Sequence, residues 1–71
     1  MGFQAYLKNI KDKTGKTPQD FRELAAQKGF IGKNLNAADI VKWLKEDFDL
    51  GHGHSMAIYA LLKGIKNEDS D

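Results

Sequence analysis

Apolar side chains recur along this chain at helical rather than strand spacing. Phe3, Tyr6, Leu7 and Ile10 fall at i, i+3, i+4 and i+7, one stripe of an α-helix. Gly15, within Lys13-Thr14-Gly15-Lys16, is a good stop for it, because glycine takes the left-handed conformation without steric cost. The pattern predicts a first helix over about 3–14. Thr17-Pro18-Gln19-Asp20 opens a second, over 18–28. Threonine can cap free amides, proline at the first helical position gives up nothing, and Asp20 suits the positive end of the helix dipole. Phe21, Leu24 and Ala25 face inward in this reading, and Gly29 ends the segment.

Residues 30–35 read as a loop containing Gly32 and Asn34, anchored by Phe30, Ile31 and Leu35. Asn36-Ala37-Ala38-Asp39 repeats the capping logic and predicts a third helix over 37–49, closed by Leu50-Gly51. On a helical wheel Ile40, Val41, Leu44 and Phe48 share an arc of about 100°. Trp43 and Asp47 fall at the edge of that arc, so Trp43 is expected to be partly exposed.

The fourth segment is different in kind. It is entered through His52-Gly53-His54-Ser55 and predicted over 54–65. Ile58, Leu61, Leu62 and Ile65 define one face, while Met56, Tyr59 and Ala60 make the opposite side apolar too, and Lys63 is nearly its only charge. A helix apolar almost all round is either enclosed by its neighbours or part of an interface. The expected fold is therefore all-α, a compact bundle of four short helices with the last one central. It forms a single domain over 1–66, followed by an acidic tail, 67–71, expected to fray.

Composition narrows this further. In 71 residues a core is feasible but small, and with no cysteine there is neither a disulfide nor a thiolate–zinc site to supplement it. The fold must rest on helix packing, helped where available by self-association. No apolar run approaches the roughly 20 residues that cross a bilayer, and Met1 to Ile10 lacks the layout of a signal peptide, so no membrane partner is expected and the cytoplasm is the default location. Net charge is only +1, but it is unevenly distributed. Residues 1–33 carry seven basic and three acidic side chains; residues 34–71 carry four and seven. Such a division can steer a partner or let two copies attract head to tail; alternatively, it describes two solvated faces.

Catalysis is not expected. There is no cysteine nucleophile and no Gly-x-Ser-x-Gly elbow, and Ser55 and Ser70 have no base placed by spacing. A chain this short also has little room for a pocket that encloses a substrate. No catalytic residue and no cofactor is assigned.

The stretch Leu50-Gly51-His52-Gly53-His54-Ser55-Met56-Ala57 supports three readings. It can be a tight turn, with Gly51 ending one helix, Gly53 turning the backbone and Ser55 or His52 capping the next. His54 would then face the core side and bond Asp47 or a backbone carbonyl. It can be a metal site built on His52 and His54 with Asp47 and Asp49 nearby, although no third ligand is set by spacing. Or it can bind phosphate: Gly51-His52-Gly53, with Ala57 six residues after the first glycine, resembles the Gly-x-Gly-x-x-x-Ala turn of helix-hairpin-helix modules, which offers backbone amides to nucleic acid. His52 replaces the usual small apolar residue there, His54-Ser55 replaces the usual basic pair, and the surrounding half of the chain is acidic.

Taken together, Phe3-Gln4-Ala5-Tyr6-Leu7, Lys13-Thr14-Gly15-Lys16-Thr17-Pro18, Asp20-Phe21, Leu24-Ala25-Ala26, the run from Ile40 to Phe48, Leu50-Gly51-His52-Gly53-His54 and Met56 to Lys63 cover nearly the whole chain. They resemble the small bacterial domain of unknown function numbered forty-two eighty-seven in its series. The resemblance implies a short helical domain of a bacterial protein, found alone or beside another uncharacterised domain. It implies no activity, ligand or catalytic residue, and places the Trp43 helix and the Gly51–His54 turn within the family pattern. The function expected from these readings is a non-catalytic binding or protein-interaction domain, acting on a protein partner or on a second copy. Its candidate surface is Trp43, Met56 and Tyr59 together with the turn of Gly51, His52, Gly53 and His54. Nucleic-acid binding through that turn, and a His52/His54 metal site, are the alternatives.

Overall fold

The structure, a computed structural model, describes residues 2–66. The acidic tail expected to fray, 67–71, lies outside the described residues. Four helices are present: α1 (Phe3–Thr14), α2 (Pro18–Lys28), α3 (Ala37–Phe48) and α4 (His52–Lys63), with a single 3₁₀ turn at Gly32–Asn34. The described residues contain no strand, and they form a globule measuring 28 × 23 × 18 Å. The all-α bundle read from the periodicity is the fold observed.

Local chemistry explains the element boundaries. Thr17 and Asp20 form a reciprocal capping box: the Asp20 N–H donates to Thr17 Oγ1 at 3.2 Å, and the Thr17 N–H donates to Asp20 Oδ2 at 2.9 Å. Pro18 has no N–H, so two of the three orphan amides at that helix end are thereby satisfied. Asn36 caps α3 by accepting from the Asp39 N–H at 2.9 Å.

Each of α1, α2 and α3 packs against α4. The central place expected for the fourth helix is thus observed, and its composition shows why. Ser55, Ala57 and Ala60 are small, so three neighbours can approach the axis closely. Ile58 and Leu61, 0 % and 2 % exposed, fill the space between them. Phe3, Ile10, Phe21, Ala25, Ile40, Trp43, Leu44 and Leu50 complete one continuous core, with at least one member from every helix. Two exposed ion pairs, Lys13–Asp49 at 3.9 Å and Lys28–Asp47 at 3.5 Å, join the basic N-terminal half of the chain to the acidic C-terminal half. Part of the charge asymmetry is therefore consumed within the molecule.

Five expectations are corrected. Helix α4 starts at His52 and ends at Lys63, two residues earlier at each end than its apolar pattern indicated. Gly64 then adopts φ 82° and turns the chain, leaving Ile65 66 % exposed instead of on the core face. Helix α3 is ended by Asp49 rather than Gly51. Asp49 takes the left-handed conformation at φ 55°, its N–H bonds Lys45 O, and the Leu50 N–H bonds Leu44 O. Ile31 is 58 % exposed and does not anchor its loop, because the 3₁₀ turn that follows directs Phe30 and Leu35 inward instead. Finally, Trp43 is not partly exposed. It is 6 % exposed, because α3 is rotated so that Ile40, Trp43 and Leu44 face the core while Val41 is only half-buried.

Candidate functional site

The unusual histidine–glycine stretch is not a loop before α4 but its first turn. Gly51 is the N-cap at φ −70°, ψ 170°, and His52, Gly53 and His54 are the first three helical residues. Neither Ser55 nor His52 caps the helix. Ser55 is fully buried, its N–H bonds Gly51 O at 2.9 Å, and its hydroxyl reaches Leu50 O at 3.5 Å. Gly53 has ordinary helical geometry, so a backbone reversal is not what places glycine there. A Cβ at this position would meet the Tyr6 ring at 3.8 Å, which is simple van der Waals contact.

The two histidines diverge. Two positions apart on a helix, they leave the axis about 200° apart. His54 is half-buried and packs edge-on against Tyr6, with ring centroids 5.2 Å apart and planes at 83°. Tyr6 is thus the neighbour this histidine finds, while Asp47, suggested as its partner by sequence proximity, pairs with Lys28. His52 is exposed. Among the described residues no three or more His, Cys, Asp or Glu side chains gather as a metal-binding group.

His52 stands on the rim of a groove of about 440 Å³ between α1 and α4. Gly2, Phe3 and Tyr6 form the α1 wall; Gly53, Met56, Ala57 and Ala60 form the α4 side; and Lys66 closes one end with its ammonium 5.6 Å from the Phe3 ring. The small residues of α4 leave the depression, and the aromatic residues of α1 bound it. Of the candidate residues, this groove unites His52, Gly53 and Met56. It does not include Tyr59, which is half-buried with Lys63 over its ring at 5.9 Å. Nor does it include Trp43, which lies among Phe30, Phe48 and Phe21 at centroid distances of 5.5, 6.1 and 6.4 Å. Sequence reasoning did not assign Phe3 and Tyr6 to a site. Their i, i+3 spacing reads as core, which holds for the buried Phe3, while the half-buried Tyr6 leaves part of the stripe open beside α4.

A second hollow, about 470 Å³, lies beside the first turn of α4 and is lined by Lys13, Val41, Lys45, Asp49, Leu50, Gly51 and His52. Gly51 has no side chain to cap the helix, and no acidic residue occupies the first turn, so the positive end of the α4 dipole is not neutralised from within that turn. Lys13 is partly engaged there, donating to Asp49 O at 2.6 Å.

These features define a small all-α domain: three helices around a central fourth, with an apolar groove open beside it. Among the described residues no helix is long and apolar enough to cross a membrane. The chain matches the family model described as "Domain of unknown function (DUF4287)" over residues 2–64, all four helices, and it belongs to that family. Neither a curated protein nor a solved structure matches it.

Proposed function

We propose that the domain is a non-catalytic protein-interaction module whose docking surface is the α1–α4 groove. The observation that supports this most directly is the composition of the groove: the half-buried Tyr6, Met56 and Ala60 present apolar surface to an open depression floored by the buried Phe3 and Ala57. Such a surface suits the apolar face of an amphipathic helix, with aromatic walls as anchors and methionine adapting to the fit. Trp43 leaves the candidate surface on this reading, because it is buried against phenylalanines.

The test is affinity capture on the immobilised domain, followed by amide-shift mapping with each captured protein after its identification. Wild type is compared with Met56→Glu and Ala60→Glu. The expected result is shifts concentrated on α1 and the groove side of α4, and loss of binding in both variants with helical content retained. Shifts centred on α2 and α3, or binding indifferent to both substitutions, would refute the groove.

A second reading has its own support in the uncapped start of α4 at Gly51 and His52, which shares a hollow with Lys13 and Lys45. That set is suited to a phosphate of nucleic acid. It predicts binding to short DNA duplexes at low salt, weakened by Lys45→Ala and abolished as salt rises. An absence of binding at the lowest salt tested removes this reading without touching the first.

A further inference from the structure

On the opposite side of the functional question from the groove stands Trp43. Its indole Nε1 is a buried donor with no acceptor among the described residues, in a side chain 94 % removed from solvent. The indole packs against the rings of Phe21, Phe30 and Phe48, none of which carries an acceptor oxygen or nitrogen. The same indole lines a hollow of about 410 Å³ whose rim carries Asp39, Glu46 and Asp47 against Lys28 and Lys42. Lys28 is the cover of this hollow. Its ammonium lies 5.9 Å from the Trp43 ring centroid and 3.5 Å from Asp47 Oδ2, so one cation satisfies an aromatic face and a carboxylate together. Both ends of that ion pair are about half-exposed, 45 % and 47 %, so the latch is weak and readily exchanged.

We propose that this hollow is a seat for a lysine side chain of a partner polypeptide, with Lys28 as the resident occupant that it displaces. The incoming ammonium takes the place of Lys28 over Trp43 and between the carboxylates of Asp47 and Glu46. Moving Lys28 aside uncovers the indole, and the backbone carbonyl of the bound lysine accepts the Nε1 hydrogen that has no partner in the free domain. Charge selects the occupant: with Lys28 aside, the three carboxylates of the hollow outnumber its remaining cation, Lys42, and the group already seated there is an ammonium. The site is separate from the α1–α4 groove, and neither depends on the other.

The chain contains one tryptophan, so a ¹⁵N-labelled sample shows a single indole N–H resonance that reports on this donor alone. The probe is a blocked tetralysine peptide at low salt, with blocked tetraglutamate as control. The expected result is a saturable downfield movement of the indole resonance with tetralysine and none with tetraglutamate. Lys28→Ala, which removes the internal competitor, is expected to bind about threefold tighter or better, and Asp47→Asn to bind more weakly than wild type. An indole resonance unmoved by tetralysine in both wild type and Lys28→Ala overturns the proposal. So does weaker binding by Lys28→Ala, since Lys28 would then be part of the receptor and not its placeholder.

Discussion

Replacing Trp43 by alanine separates a packing role from a surface role, and the structure sets the size of the effect. A buried tryptophan removes about 150–250 Å² from water, which at about 25 cal/mol per Å² corresponds to roughly 4–6 kcal/mol as an upper bound. Large-to-small substitutions of this kind cost about 3–5 kcal/mol in well-packed cores. One term runs the other way: the unpartnered Nε1 carries a desolvation penalty of about 1–3 kcal/mol that disappears with the indole. Taking the middle of each range, the net expectation is a loss of about 2–3 kcal/mol. At about 0.05–0.15 kcal/mol per residue, a 71-residue domain holds only about 4–11 kcal/mol in all. Trp43→Ala should therefore lower the melting temperature by roughly 10–30 °C. Trp43→Phe keeps most of the packing against Phe21, Phe30 and Phe48 and deletes the orphan donor, so it should stay within about 1 kcal/mol of wild type. Urea unfolding followed by far-ultraviolet circular dichroism measures both. A Trp43→Ala loss below about 1 kcal/mol would show the indole to be peripheral, as the helical wheel alone indicates. A phenylalanine variant as damaged as the alanine one would show that Nε1 is bonded after all.

Three further outcomes follow from the helix ends. Asp49→Gly should raise stability by about 0.5–1 kcal/mol: glycine accepts the left-handed geometry at φ 55° and an acidic side chain leaves the negative end of α3, gains that exceed the extra freedom of glycine in the unfolded chain. A shift of the urea midpoint to lower concentration would refute this. Gly53→Ala should stabilise by about 0.5 kcal/mol, since Gly53 is helical and its new methyl group meets only the Tyr6 ring at 3.8 Å; a loss would mean that the first turn of α4 needs glycine for its backbone. The Thr17 backbone N–H and hydroxyl hold the Asp20 carboxyl below its ordinary value of 3.8. With the folded value depressed, the contribution of Asp20 is complete above pH 3.8 and is lost as pH falls through the lower folded value. The stability advantage of wild type over Asp20→Asn should accordingly narrow in acid, measured by urea unfolding across a pH series; a gap that is constant down to the lowest pH would refute the linkage.

Much of the fold was legible in the linear pattern. The stripe of Phe3 and Ile10, the Thr17–Asp20 capping box, the Asn36 cap and the enclosure of a fourth segment with almost no charge all depend on residues within a turn or two of each other. Local spacing and backbone hydrogen-bond demand suffice to read them. The candidate site was legible only in part. Gly51, His52, Gly53 and His54 stood out by composition, but their register did not: His52 opens the helix instead of preceding it, and the two imidazoles diverge. Nothing nearby in sequence pairs His54 with Tyr6, 48 positions away, or sets Met56 opposite Phe3.

The sequence by itself determined four helices, the capped starts of α2 and α3, and which helix would lie in the middle, because short-range sterics and periodic hydrophobicity act before any long-range contact forms. Tertiary structure alone decided how far each helix is rotated about its own axis. That rotation buries Trp43 at the edge of its stripe and leaves Tyr6 facing Gly53 and alanines of α4 across an open groove. The physical reason is that an apolar arc constrains rotation only to within its own width. Inside that width the outcome depends on the volumes of side chains contributed by three other helices, and no local pattern contains them.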